Sequence, residues 1–183
     1  MNPFPTLHTP RLHLRELVAQ DAQVLFALYR DSDSMRWFGA DPMTDIAQAK
    51  SLIVTFAQWR THPNPGTRWG LEFEGRLIGS CGLFKWNRGW SSCSLACELA
   101  PEFRRQGLMS EALRATLEWG FVQMHLQRVE ALVHPLNHAS RALLERLGFK
   151  SEGTLREAGF WNGQRHDLEV LGLLAWEWPD RSV

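Results

Sequence analysis

The feature that most constrains this chain is a change of hydrophobic period at Pro101. Before it, Thr67 to Phe73, Arg76 to Trp86 and Ser91 to Leu99 alternate as strands do, with turn residues at Glu74-Gly75 and Asn87-Arg-Gly89 between them. After it, Met109, Leu113, Leu117, Phe121 and Met124 recur every three or four residues and mark one apolar face of a helix. A three-stranded meander that runs through a short polar loop into a helix fixes the middle of the fold, because that helix must bury its face on the strands it follows.

The flanks extend the same logic. Arg11-Leu-His-Leu-Arg-Glu-Leu17 alternates, which predicts a first strand with Leu12 and Leu14 on one face. Apolar spacing predicts helices over Ala22 to Tyr29 and Ile46 to Trp59, with Thr44 as N-cap of the second, and His62-Pro-Asn-Pro-Gly66 closes that region. Arg128 to Val133 reads as a short strand. Asn137 is placed to cap a further helix that ends at Leu147-Gly148-Phe149, a glycine stop that lets Phe149 fold back on Leu144. Two last strands flank Asn162-Gly163, a strong hairpin signal. The predicted order is β-α-α-β-β-β-α-β-α-β-β, a mixed α/β fold read as one domain over residues 1–183.

Composition narrows the classes of function. Lys plus Arg number 20, as do Asp plus Glu, so no global field holds a polyanion and neither nucleic acid nor an anionic membrane is an expected partner. The start lacks the basic patch and apolar run of a signal peptide, and no stretch approaches eighteen apolar residues, so a cytoplasmic location is expected. Cys81, Cys93 and Cys97 form no CxxC and read as reduced, mostly buried thiols. His134 and His138 are spaced as a metal pair, but Pro135 breaks any helix between them and no partner ligand follows; no metal is expected.

The chemistry concentrates in Leu99-Ala-Pro-Glu-Phe-Arg-Arg-Gln-Gly-Leu-Met-Ser110, where a strand runs out, a polar loop follows and a helix begins. A helix N-terminus offers free N–H groups and the positive end of its dipole, Gly107 lets a ligand approach the backbone, and Arg104 and Arg105 add charge: this is an anion site. It is neither a P-loop, lacking Gly-Lys-Ser/Thr, nor a dinucleotide fingerprint, lacking G-x-G-x-x-G.

Arg104-x-x-Gly107-x-Met109 resembles the (Gln/Arg)-x-x-Gly-x-(Gly/Ala) pyrophosphate loop of GNAT acetyltransferases, departing from it at Met109, which the Rim-type branch also tolerates. Thr9-Pro-Arg-Leu-His-Leu-Arg15, Asn137-His-Ala-Ser140 with Leu-Glu-Arg-Leu-Gly-Phe149, Glu152-Gly153 and Asn162-Gly-Gln-Arg-His-Asp167 are similar to family segments in the same order. The resemblance implies a GNAT-like fold: a mixed, mostly antiparallel central sheet, splayed between its middle strands and flanked by about four helices. It implies acetyl-CoA as cosubstrate, with the pantetheine arm threaded between the strand ending at Leu99 and the strand beginning near Arg128. The implied contacts are Leu99, Ala100, Arg104, Arg105, Gln106, Gly107, Leu108, Met109, Ser110, Asn137 and Arg141.

Amine acetylation needs a neutral amine, a donor for the oxyanion at the thioester carbonyl and a proton for the departing thiolate. A backbone N–H at Leu99 or Ala100 suits the second task. The family's usual tyrosine proton donor corresponds to Leu144, so the resemblance to Rim-type enzymes shifts that role to Ser140, which is equally placed as a plain first-turn serine. The carboxylates that relatives use as base correspond to Leu132 and Gly159, which leaves Glu157, Glu98, His134 and His138 as candidates. The acceptor is expected beside Asp31, Asp33, Asp41, Asp45, Trp37 and Phe38, an acidic and aromatic wall suited to a cationic amine. It is read as the N-terminal α-amine of a protein. A small amine (polyamine, antibiotic or aminoacyl compound) and a non-catalytic CoA-binding module are the alternatives, and the state of assembly, with a homodimer among the options, is left open.

Overall fold

The computed structural model describes residues 3–61 and 66–178. The His62-Pro-Asn-Pro stretch expected to close the helical region lies outside them. Strands β1 (Leu7–His8) and β2 (Leu12–Glu16) lead into helices α1 (Ala22–Arg30), α2 (Ser32–Met35) and α3 (Ile46–Trp59). The meander is β3 (Thr67–Phe73), β4 (Arg76–Asn87) and β5 (Ser92–Leu99); then come α4 (Leu108–Gln123), β6 (Arg128–Val133), α5 (His138–Arg146) and the hairpin β7 (Lys150–Trp161) and β8 (Gln164–Leu174).

Local chemistry accounts for most of these boundaries. Leu12 and Leu14 are 3% and 0% exposed on one face of β2, as alternation requires. Glu74 and Gly75 (φ 51° and 73°) and Asn162 and Gly163 (φ 50° and 69°) take the left-handed pair that a two-residue hairpin needs. Helix α5 ends as expected: Gly148 has φ 95°, the Phe149 N–H reaches the Leu144 C=O at 3.1 Å, and both side chains are buried in one cluster. The cap of α3 is a correction. Asp45, not Thr44, accepts from the Ala47 N–H at 2.7 Å, while Gln48 reaches back to the N–H groups of Thr44 and Asp45 at 2.7 and 3.1 Å. A carboxylate one residue nearer the helix, with glutamine at the third helical position, outcompetes the threonine hydroxyl. Sequence reading also missed β1, hidden among prolines at 3, 5 and 10, and the single turn of α2.

The eight strands form one sheet in the order β1-β2-β3-β4-β5-β6-β8-β7. Every neighbouring pair is antiparallel except β5 and β6, which α4 joins by a crossover that returns the chain in the same direction. That parallel pairing lasts three residues: Ser92, Cys93 and Ser94 face Arg128, Val129 and Glu130. Beyond it Leu95 to Leu99 stay on β4 and Ala131 to Val133 stay on β8, so the sheet opens between its middle strands. Helices α4 and α5 bury Leu113, Leu117, Leu144 and Leu147 on one face; α1 and α3 bury Leu25, Leu28, Ile53 and Phe56 on the other.

Candidate active site

The opening between β5 and β6 has a defined chemistry on its β5 side. The Ala100 N–H donates to the Ile78 C=O at 2.8 Å, which makes 78 and 100 a hydrogen-bonded pair. The next pair, Gly79 and Leu99, is therefore a non-hydrogen-bonded one, and the N–H and C=O of Leu99 point away from β4 into the opening. The Arg104 guanidinium takes that C=O through Nε at 3.0 Å, and the Leu99 N–H faces the gap that β6 has vacated. Gly79 allows the approach: a Cβ there would stand 2.3 Å from the Glu98 carbonyl oxygen.

At the mouth of the opening the chain turns through Arg105 and Gly107, with φ of 63° and 78°, into α4. Helices α3 and α5 have side-chain caps, from Asp45 and from Asn137, whose Oδ1 accepts the Ser140 N–H at 3.1 Å. Among the described residues no side chain caps α4, so the N–H groups of Leu108, Met109 and Ser110 remain for a ligand at the positive end of the dipole. Arg104 does not reach outward as a free cation; besides Leu99 it binds the Ser34 hydroxyl through Nη2 at 2.9 Å and so ties the loop to α2. Gln106 donates to the Glu102 C=O at 3.0 Å and receives Arg11 on its own carbonyl at the same distance.

Helix α5 starts just beyond the end of β6, which brings Asn137 and Ser140 to the open end of the gap. Ser140 is half-buried, and among the described residues its hydroxyl has no hydrogen-bond partner. Arg141 is engaged with Glu145 at 2.9 Å and Glu169 at 3.2 Å. Glu98 lies beneath β5 with one oxygen on Arg68 and the other on Ser80, in a network that Tyr29 joins from α1. Burial and then the Glu98 charge raise the Tyr29 phenol. Both oxygens of the Glu98 carboxylate are thus engaged, by a buried guanidinium and a hydroxyl. Glu157 lies at φ 51° in a bulge of β7, where its N–H donates to Asp167 at 2.7 Å.

The aspartates expected to form an acidic wall are largely engaged by backbone N–H groups. Asp31 caps α2 through the Ser34 N–H, Asp45 caps α3, and Asp41 accepts the Asn162 N–H at 2.5 Å. Phe38 packs edge-on to Tyr29 in the core under α1. Trp37 faces a cluster that sequence reading did not assemble: it stacks on His134 at 4.1 Å, His134 meets His166 and Trp161 edge-on, and Trp161 stacks on His166 at 3.7 Å. Trp161 Nε1 donates to the Arg36 C=O at 3.1 Å, so the segment after α2 is latched to the β7–β8 hairpin across the sheet opening. His134 Nδ1 accepts the Leu136 N–H at 3.1 Å, which leaves Nε2 to carry the proton of the neutral ring. Burial, then His166 and Arg36, lower its pKa. His134, a base candidate from the sequence, thus has Nδ1 engaged by the backbone at the end of β6.

These features match known proteins. The acetyltransferase (GNAT) domain profile fits residues 11–150. The uncharacterized N-acetyltransferase YoaA of Bacillus subtilis is 35% identical over 173 residues, 93% of this chain and 97% of that protein. Mycobacterium smegmatis RimJ in complex with CoA-disulfide superposes with a TM-score of 0.80 at 24% identity, covering 92% and 84% of the two chains. Spermidine N-acetyltransferase from Vibrio cholerae, in complex with CoA and spermine, gives 0.80 at 24% identity over 92% and 98%. With the profile spanning most of its length and the opened sheet and uncapped helix after Gly107 in place, the chain belongs to the GNAT acetyltransferase family and is an N-acetyltransferase.

Proposed function

We propose that the chain transfers the acetyl group of acetyl-CoA directly to the N-terminal α-amine of a protein. The observation that carries the reading is the opening itself. It runs from the uncapped α4 N-terminus past the inward-facing Leu99 N–H to the Ser140 hydroxyl, which orders the three contacts that a coenzyme thioester needs. The amides of Leu108 to Ser110, with Gly107 and Arg105, hold the pyrophosphate. Asn137, whose Oδ1 is spent on its own helix, has its amide N–H₂ for the pantetheine arm. The Leu99 N–H stabilises charge on the thioester oxygen as the amine attacks. Ser140 then gives its proton to the sulfur as the carbon–sulfur bond breaks, and the surplus proton of the new amide passes through water to the Ser140 oxygen, which restores the hydroxyl.

The cost of deprotonating the amine supports an α-amine over a lysine or polyamine. An α-amine of pKa about 7.7 to 8 is roughly a tenth neutral at pH 7, whereas a lysine of about 10.4 is neutral only a few times in ten thousand. In competition at pH 7 between peptides of one sequence, one with only its α-amine free and one with only a lysine amine free, the first is acetylated faster. Equal or faster reaction of the lysine peptide overturns the preference and favours a small-amine or polyamine acceptor.

A further inference from the structure

The segment Thr9-Pro-Arg11 has no part in the mechanism above, yet it lies against the coenzyme loop from the opposite end of the chain. Glu111, in the first turn of α4, accepts the Thr9 hydroxyl at 2.6 Å, the Arg11 N–H at 2.9 Å and Arg11 Nε at 2.7 Å. Arg11 Nη1 donates to the Gln106 C=O at 3.0 Å, and Nη2 lies 3.5 Å from where a Cβ of Gly107 would stand. A carboxylate one turn inside a helix whose N-terminus takes a phosphate opposes that phosphate. Burial pushes the Glu111 carboxyl up, but its bonds to Thr9 and Arg11 outweigh this and hold it ionised. The guanidinium answers the charge on one edge and leaves Nη2 beside the glycine over which a ligand must pass. Arg11 keeps 44% of its side chain exposed, so this edge is open to solvent.

We propose that Arg11 is a ligand of the coenzyme pyrophosphate, neutralising Glu111 through Nε and offering Nη2 to a phosphoryl oxygen at Gly107. This rests on the acetyl-CoA reading above and adds to it a phosphate-binding residue outside the loop. Sequence separation concealed it: Arg11 and Gly107 are brought together only when β2 enters the sheet beside α4.

The test is calorimetric binding of CoA and 3′-dephospho-CoA to the full chain, together with kcat/KM for acetyl-CoA and for S-acetylpantetheine, which lacks every phosphate. Failure of the wild type to bind CoA removes the underlying reading, independently of Arg11. With wild-type binding established, Arg11→Met raises the Kd of both CoA and 3′-dephospho-CoA about tenfold or more, the scale of a charged hydrogen bond. It leaves kcat/KM for S-acetylpantetheine within about twofold. Arg11→Lys, which keeps the charge but not the fork, loses less, and Glu111→Gln in the Arg11→Met background recovers part of the affinity. An unchanged Kd in a folded Arg11→Met variant, a loss confined to CoA, or an equal loss with S-acetylpantetheine overturns the proposal.

Discussion

At the scale of single residues, the site is built from groups left free by their neighbours. Asn137 caps α5 with its side-chain carbonyl oxygen alone, accepting the Ser140 N–H, and among the described residues the Ser140 hydroxyl has no partner. Ser140→Ala is therefore expected to lower kcat by roughly a hundredfold with little change in the KM for acetyl-CoA, since a proton to the thiolate is given mainly in the transition state. A fall of less than about threefold in steady-state kinetics reduces Ser140 to a helix residue. Glu98 shows the converse: its identity and its place on β5 were legible, but only the packed structure shows both oxygens taken by Arg68 and Ser80.

At the scale of elements, the end of β5 depends on how closely β4 lets it lie. Gly79 has ordinary strand geometry, and what it supplies is the absence of a Cβ against Glu98 and Leu99. Gly79→Ala forces the two strands apart at the point where the Leu99 N–H must face the opening. Overpacking of this kind costs about 1–3 kcal/mol, read as a lower urea midpoint, and it is expected to lower kcat/KM with acetyl-CoA as well. Wild-type stability and activity in this variant show that the strand pair adapts and that the close approach is dispensable. Sequence period identified β4 and β5 as neighbours, but it carried no signal for the distance between them.

At the scale of the whole molecule, α2 and the residues after it form a bridge. Arg104 ties it to the loop before α4 through Ser34, and Trp37, Arg36 and Asp41 tie it to β6 and the final hairpin. His134 is the centre of that second attachment, faced by Trp37 and Arg36 from the bridge and by Trp161, His166 and Asp167 from the hairpin. Its pKa in the folded chain is below the unfolded value of about 6.5, chiefly through burial and then through His166 and Arg36. The unfolded chain thus binds the proton more readily. The stabilisation is complete above about pH 6.5 and is lost as the pH falls below it through the folded value. Urea midpoints measured from pH 7.5 to 5 are expected to fall more steeply for the wild type than for His134→Gln. Parallel slopes show that His134 does not govern the docking of the bridge.

The sequence by itself determined the order of elements, the faces that α4 and β2 bury, the hairpin at Asn162-Gly163 and the anion-binding character of the loop at Gly107. Each rests on residues within a few positions of one another, whose periodicity or backbone preference is a local property. Tertiary structure alone decided that β5 and β6 part after Ser94 and that Leu99 rather than Ala100 turns its N–H to the opening. It also set Arg11 beside Gly107, and His134 against residues 37, 161 and 166. These contacts join residues from 27 to about a hundred positions apart along the chain. Their partners are selected by sheet register and by the crossover of α4, which no local pattern encodes.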